Sequence, residues 1–290
     1  MKDQDTLRRF VFDKLGIRGE WVRLETSWKQ AKLRHRYPQW VQQQLGQMLA
    51  ATTLLSATIK FNGSLILQVQ GEGALQTMVA QCTHNREVRG WAKYQAFENR
   101  PEILEQLCTN GRLVLTVKSE HAEPYQGIVA LQGNNFAEAI ENYFKQSEQL
   151  LTRLWLFADE TCATGLFIQE LPDLPKNPLA WERIEMLANT VTKQEMLDLP
   201  CEDLLYRLFN EEQVRLFDPE SCVFKCTCSE QKVEATLAAM GRAELQDILL
   251  EKQEISVNCE FCSQHYQFDP VDVERILSRQ TVSFNSTTTH

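Results

Sequence analysis

Apolar residues recur with two different periods along this chain. Up to about position 175 they fall mostly in short strand-like runs. Arg9 to Phe12 and Trp21 to Leu24 read as strands. Over Gly63 to Gly71, Leu65, Leu67 and Val69 alternate with Ile66, Gln68 and Gln70, a period of two. Val88 to Tyr94, Arg112 to Lys118, Gln126 to Leu131, Leu150 to Phe157 and Thr164 to Gln169 predict further strands. Two helices interrupt them. Tyr37-Pro38 opens the first, proline suiting a first turn, and Trp40, Val41, Leu45, Met48, Leu49 and Leu55 mark one broad apolar face. Asn134 and Asn135 can cap the second, which runs to about Gln146 with Phe136, Ile140, Tyr143 and Phe144 inward.

The period then changes. Leu171 to Pro178 holds three prolines and ends regular structure. Beyond it Trp181, Ile184, Leu187 and Val191, then Leu204, Leu205, Leu208 and Phe209, keep helical spacing, and clear strand signals are absent. The charges of this stretch are mostly acidic, among them Glu182, Glu185, Glu202, Asp203 and Glu220. Short amphipathic helices need a partner surface to be stable. Further on, Ser229 can cap a helix ending at Gly241, Ala243 to Lys252 forms another, and Asp269-Pro270 begins a last one over Val271 to Leu277. The expected organisation is a mixed α/β domain at 1–178, an acidic amphipathic linker at 179–221, a small cysteine-bearing domain at 222–280 and a disordered tail at 281–290. The fold class is α+β.

Composition narrows the function. The 290 residues are 43% hydrophobic and 24% charged, ordinary for a globular protein. A net charge of −9 argues against a nucleic-acid surface and against anionic membranes. The start, Met1-Lys2-Asp3-Gln4-Asp5, has no signal-peptide character, and no apolar run reaches the roughly 18–20 residues a membrane span needs. A cytoplasmic location is the expectation. There, nine cysteines point to metal or redox chemistry rather than to a disulfide framework.

Four of the nine carry the chemistry. Cys226-Thr-Cys228 and Cys259-Glu-Phe-Cys262 are two close pairs across a compact spacer, the pattern of a tetrahedral tetrathiolate site for one Zn2+. Thiolates favour zinc over magnesium or calcium, and the spacing lacks the ferredoxin patterns of an iron–sulfur cluster. His265 is a competing ligand on proximity alone. A domain this small struggles to fold on its core, so bound metal would supply folding free energy. The site reads either as a plain structural staple or as a trigger. Zinc holds its cysteines as thiolates, the form that meets oxidants, and each pair is close enough to close into its own disulfide. Cys82, Cys108 and Cys162 read as packed thiols, Cys201 as inert and Cys222 as a bystander able to shuffle. Signals of catalysis are weak. Gly71-Glu-Gly73 lacks a third glycine, and there is no nucleophile elbow or Walker loop. His35, His84, His121, His265 and His290 are scattered. The chain is not expected to be an enzyme.

The stretches Val223 to Cys228, Val257 to Cys262 and Tyr266-Gln-Phe268 resemble the C-terminal module of the redox-regulated holdase chaperones, the 33 kDa heat-shock protein family. Leu208 to Phe217 is similar to that family's linker. His35 to Pro38, Leu54 to Phe61, Gln70 to Gly73 and Val88 to Gly90 resemble its N-terminal domain, an α/β fold around a twisted sheet. The resemblance implies an ATP-independent chaperone, inactive when reduced and zinc-bound. It implies that Cys226, Cys228, Cys259 and Cys262 are both the zinc ligands and the redox-active residues, with oxidation giving Cys226–Cys228 and Cys259–Cys262 disulfides, zinc release and linker unfolding. Its partners would be unfolding client proteins and, when oxidised, a second copy of the chain. Two other readings stand beside it: a zinc-stabilised protein-binding module without a redox switch, and a thiol oxidoreductase using Cys259 and Cys262, which lacks the thioredoxin-like context it would need.

Overall fold

The computed structural model describes residues 4–33, 35–59, 62–96, 103–120, 122–172 and 177–285, with side chains as far as 278. Residues group into two compact units, Met1–Lys225 and Cys226–His290. The first unit opens with strands β1 (Thr6–Phe12) and β2 (Ile17–Leu24) and helices α1 (Thr26–Lys32) and α2 (Gln39–Thr58). Strands β3 (Gly63–Glu72), β4 (Leu75–Thr83) and β5 (Glu87–Tyr94) follow, then the short α3 (Leu104–Leu107), β6 (Thr109–Ser119) and β7 (Ala122–Ala130). Helix α4 (Phe136–Tyr143) runs into a π-helical turn at Phe144–Glu148, and β8 (Thr152–Ala158) and β9 (Ala163–Glu170) complete the domain body. The acidic stretch forms α5 (Pro178–Ala188), α6 (Lys193–Asp198), α7 (Cys201–Phe209), β10 (Val214–Leu216) and β11 (Glu220–Ser221), and β12 (Val223–Phe224) ends the unit.

Two six-stranded sheets result, ordered β10-β1-β2-β9-β8, with β11 also on β1, and β12-β5-β4-β3-β6-β7. Helix α2 packs against strands of both. The single apolar face expected for α2 is therefore a correction: Val41, Leu45, Met48, Ala50, Ala51, Leu54 and Leu55 are buried around its whole girth, as a helix enclosed between layers must be. Its hydroxyls are satisfied locally, Thr52 and Thr53 donating to the carbonyls of Met48 and Leu49. Gly46 allows the closest approach, since a Cβ there would lie 2.5 Å from that of Ala158 on β8.

The linker helices cover the opposite face of the first sheet. Along β8 and β9 successive side chains divide between two cores. Leu154, Leu156 and Phe167 join α2. Trp155, Phe157, Leu166 and Ile168 join Phe10, Phe12, Ile17 and Trp21 beneath Trp181, Ile184, Met196, Leu204, Leu208 and Phe209. Every residue of β9 is buried, as befits a strand with helices on both faces. The rings of Phe12 and Phe209 meet edge-on at 4.9 Å. Acidic linker residues find arginines of the domain body: Glu185 with Arg153 at 2.6 Å and Glu202 with Arg8 at 3.6 Å.

Three further expectations need correction. The linker is not devoid of strands, because β10 and β11 add to the edge of β1, Phe10 opposite Leu216 and Leu7 opposite Glu220. Strand β4 and helix α1 were absent from the sequence pattern. A register shift between Leu75 and Thr77 interrupts the alternation of β4, and α1 is seven residues long. Within the second unit the last helix outruns Leu277 and takes in the first residues of the expected tail. Residues 286–290, like Lys60, Phe61 and His121, lie outside the described residues.

Candidate metal centre

The second unit is built around its four cysteines. Helices α8 (Glu230–Met240) and α9 (Arg242–Lys252), the hairpin β13 (Ile255–Asn258) and β14 (His265–Phe268), and α10 (Pro270–Asn285) enclose a small core. Leu237, Leu245, Ile255, Phe268, Val273, Ile276 and Leu277 are its buried members. Ser229 caps α8 by accepting from the Lys232 amide. Gly241 sits between α8 and α9 at φ 89°, a left-handed value that favours glycine. Asp269 caps α10 by accepting from the Asp272 amide at 2.8 Å.

The hairpin places the second cysteine pair at its tip. Asn258 pairs with His265 as the last rung, and the loop closes with Ser263 N–H to Cys259 O at 2.7 Å and Cys259 N–H to Gln264 O at 2.9 Å. Ser263 takes φ 53° to make that turn. The first pair lies just before α8, where the Lys232 ammonium donates to Thr227 O at 2.6 Å and fixes the loop between the sulfurs. The Sγ atoms of Cys226, Cys228, Cys259 and Cys262 thereby all lie within 4.8 Å of one another. Cys226 and Cys259 are 3.7 Å apart, and Cys228 and Cys262 3.4 Å. Tetrahedral zinc with bonds of about 2.3 Å sets sulfurs about 3.8 Å apart, so the cluster fits that ion.

Donors surround the sulfurs. The Cys228 amide points to Cys226, those of Phe261 and Cys262 to Cys259, and that of Gln264 to Cys262. The Tyr266 hydroxyl donates to Cys228 Sγ at 3.2 Å. Such contacts orient thiolates and spread their charge. Without a cation Cys226, Cys259 and Cys262 differ in their hold on a proton. Burial raises the Cys226 thiol, but the Cys228 amide and the neighbouring thiols outweigh it and bring it down to about 7. Burial and the same neighbours push Cys262 up to about 12 and raise Cys259. A dication would remove that conflict by stabilising all four as thiolates.

The structure thus brings together all four residues singled out by spacing. His265 is not among them: its Nδ1 faces Asn258 Oδ1 at 2.8 Å and its Nε2 faces Ser256 Oγ at 3.5 Å. Tyr266 was missed as a partner of the site, although a tyrosine four residues past a Cys-x-x-Cys turn was a readable signal. The remaining cysteines are all buried in the first unit. Burial pushes the thiols of Cys82 and Cys108 up to about 11 and Cys162 to about 12, and raises Cys222. His84 accepts from the Gly63 amide and His35 stacks on Tyr37.

The chain is similar to known proteins along nearly its whole length. The family model described as Hsp33 protein matches residues 5–269. The chain is 55% identical over 290 residues to the 33 kDa chaperonin of Nitrosococcus oceani, covering all of both chains. It is 43% identical over 285 residues to that of Pseudomonas aeruginosa, covering 96% of each. A crystal structure of the 33 kDa chaperonin (heat shock protein 33 homolog) of Thermotoga maritima shares the fold, with a TM-score of 0.81 at 22% identity over 96% of this chain and 99% of that one.

Proposed function

Because the chain belongs to the Hsp33 family, it is a chaperone, and we propose that it is an ATP-independent holdase switched on by oxidation of its metal centre. The observation that carries the reading is the cluster itself: four half-exposed sulfurs within 4.8 Å, in a unit whose own core is small. Cys226, Cys228, Cys259 and Cys262 would hold one Zn2+, which supplies folding free energy when bound. In this state the protein is inactive.

Oxidation withdraws the ligands in pairs. Cys226 and Cys228 lose two electrons and join as one disulfide, and Cys259 and Cys262 as another. With hypochlorous acid, each pair of thiolates yields a disulfide, a chloride and a hydroxide; with peroxide, each pair of thiols yields a disulfide and two waters. A disulfide sulfur is a poor metal ligand, so no ligand set remains and the module loses the free energy that holds it folded.

Linker release is the second half of the proposal. Helices α5 to α7 are short, amphipathic and seated on a borrowed face. Their departure would uncover Phe10, Phe12, Ile17, Trp21, Leu166 and Ile168, a continuous apolar surface of the kind that captures unfolding chains. The acidic residues of the freed linker keep such complexes soluble. The same apolar surface suits pairing with a second copy, and thiolates that must stay reduced at rest suit the cytoplasm.

The test compares reduced, zinc-loaded protein with protein oxidised by hypochlorous acid, scoring light scattering from a heat-unfolding client enzyme. Suppression of aggregation by the oxidised form alone, with zinc released and two disulfides formed, is expected. A reduced form as effective as the oxidised one would leave a zinc-stabilised binding module without a switch.

A further inference from the structure

Glu20 is a carboxyl in the wrong place for a carboxylate. It lies mid-strand in β2, is 2% exposed, and its Oε2 has no hydrogen-bond partner among the described residues. Its side chain shares the α2-facing side of the sheet with Val22 and Leu24. Its cross-strand neighbours are Arg9 on β1 and Phe167 on β9. The charged groups acting on it are Arg18 on its own strand, Arg9 on β1, Arg86 in the turn between β4 and β5, and Glu220 on β11.

Those groups already have work. Arg18 donates to the Thr58 carbonyl at the end of α2 and to Gln169 Oε1. Arg86 donates to the Ser56 carbonyl at 3.0 Å, and its Nε lies 2.9 Å from Glu220 Oε2. Arg9 Nε lies 2.8 Å from Glu220 Oε1, an ion pair by distance that makes no aligned hydrogen bond. One linker carboxylate thus bridges two guanidiniums, one from β1 and one from the turn between β4 and β5. The chain just beyond it is fastened in the same place: Cys222 N–H to Asp5 O at 2.7 Å, Val223 N–H to Arg86 O at 3.0 Å and Lys225 N–H to Val88 O at 3.1 Å. These contacts clasp the end of the linker to the domain body.

We propose that Glu20 and Glu220 compete for Arg9 and Arg86, so that loss of the Glu20 proton loosens the linker's terminal clasp. The inference rests on the reading that linker release activates the chaperone only for its consequence; the clasp itself is tested in reduced protein. A neutral Glu20 makes little demand on the guanidiniums and leaves both to Glu220. An ionised one, buried and without a full set of partners, draws them inward, because an uncompensated charge in the interior costs far more than a neutral carboxyl. The proton leaves to solvent, and the guanidiniums follow the new charge.

The direction of pH dependence follows. Burial pushes the Glu20 carboxyl up to about 7 in the clasped state, against the pull of the three arginines. With the clasp open and the arginines free to turn to it, its affinity for a proton is lower. The clasped state therefore binds more protons than the open one. The clasp is firm in acid, weakens as pH rises toward 7, and weakens no further above that, with a slope of at most about tenfold per pH unit for one proton.

Hydrogen exchange of the Glu220–Phe224 amides, in the full reduced zinc-loaded chain from about pH 5.5 to 8, tests this after correction for intrinsic rates. The expected result is protection that falls toward pH 7 and then levels, and that becomes independent of pH in E20Q, which mimics the neutral acid. An unchanged slope in E20Q would overturn the proposal. A second measurement separates competition from simple burial. The carboxyl-carbon resonance of Glu20 should titrate at lower pH in E220Q, where Arg9 and Arg86 are released to it. A midpoint that stays in place in E220Q would also overturn it. Neither readout depends on chaperone activity or oxidation, so failure here leaves the proposed function standing.

Discussion

The two units solve the problem of holding nine cysteines in opposite ways. In the first, Cys82, Cys108, Cys162, Cys201 and Cys222 are buried, and burial raises the four of them whose thiols are displaced. There a thiol is a small apolar group held by a large core. In the second, four sulfurs are half-exposed, crowd one another, and are met by amide and hydroxyl donors. There, on the proposed function, a metal held by the sulfurs would supplement a small core. On the proposed function the same residue is inert where packing supplies stability and reactive where its bound metal would supply it.

Removing the metal should break the comparison most visibly. Ligand binding in tetrathiolate sites is worth on the order of 10 kcal/mol, all of it folding free energy where the site does not form alone. Chelation of the reduced protein is expected to abolish protection of the α8, α9 and α10 amides while the first unit keeps its cooperative melting transition. A thiol reagent should then modify Cys226, Cys228, Cys259 and Cys262 and leave the five buried cysteines untouched. If α8 to α10 stayed protected without metal, the small core would be sufficient and the contrast would fail.

A smaller effect is expected where the first unit most resembles the second, at its docked linker. Phe209 is 2% exposed and meets Phe12 edge-on and Phe10 at 6.4 Å. Phe209→Ala should cost about 3–5 kcal/mol of local stability. Because α7 is short and its face is borrowed, the loss should appear as faster exchange in α5 to α7 rather than as a lower melting point of the sheets. Client binding by the reduced variant is the functional counterpart. Equal protection in α7 before and after the substitution would show that the linker is an integral layer of the domain.

What could be read in advance follows the same division. The candidate metal centre depends on the spacing within two close pairs, so Cys226, Cys228, Cys259 and Cys262 were legible and the structure gathers them. Caps at Ser229 and Asn135 were legible for the same reason, each accepting from an amide three residues on. Long-range facts were not. Nothing local says that β10 and β11 will take the edge of β1, since two- and three-residue strands carry no period. The covered face of the first sheet did leave a trace. Ala163 to Ile168 lacks polar alternation apart from Thr164, which is the mark of a strand covered on both sides. The apolar girth of α2 was likewise visible in its alanines and leucines, but a helix enclosed by two sheets can be told from an amphipathic one only when both sheets are known.

The smallest effect sharpens the comparison by making one change in both units. Tyr266 and Tyr143 each present a hydroxyl to polar partners. Tyr266 donates to Cys228 Sγ at 3.2 Å, and Tyr143 lies 3.1 Å from the Tyr125 hydroxyl and donates to Glu148. Removing the Tyr266 hydroxyl would deprive a proposed ligand, Cys228, of one donor, and losses of that kind weaken metal binding about tenfold or more. Tyr266→Phe should therefore raise the zinc dissociation constant about tenfold, roughly 1.4 kcal/mol, in competition against a chelator of known affinity. Tyr143→Phe removes an ordinary hydrogen bond, worth about 0.5–1.5 kcal/mol to the first unit alone. It should shift the melting of that unit slightly and leave zinc affinity where it was. Equal zinc affinity in Tyr266→Phe and the wild type would show that the backbone amides alone set the character of the sulfurs, and that the second unit draws its stability from ligand count and not from the donors around it.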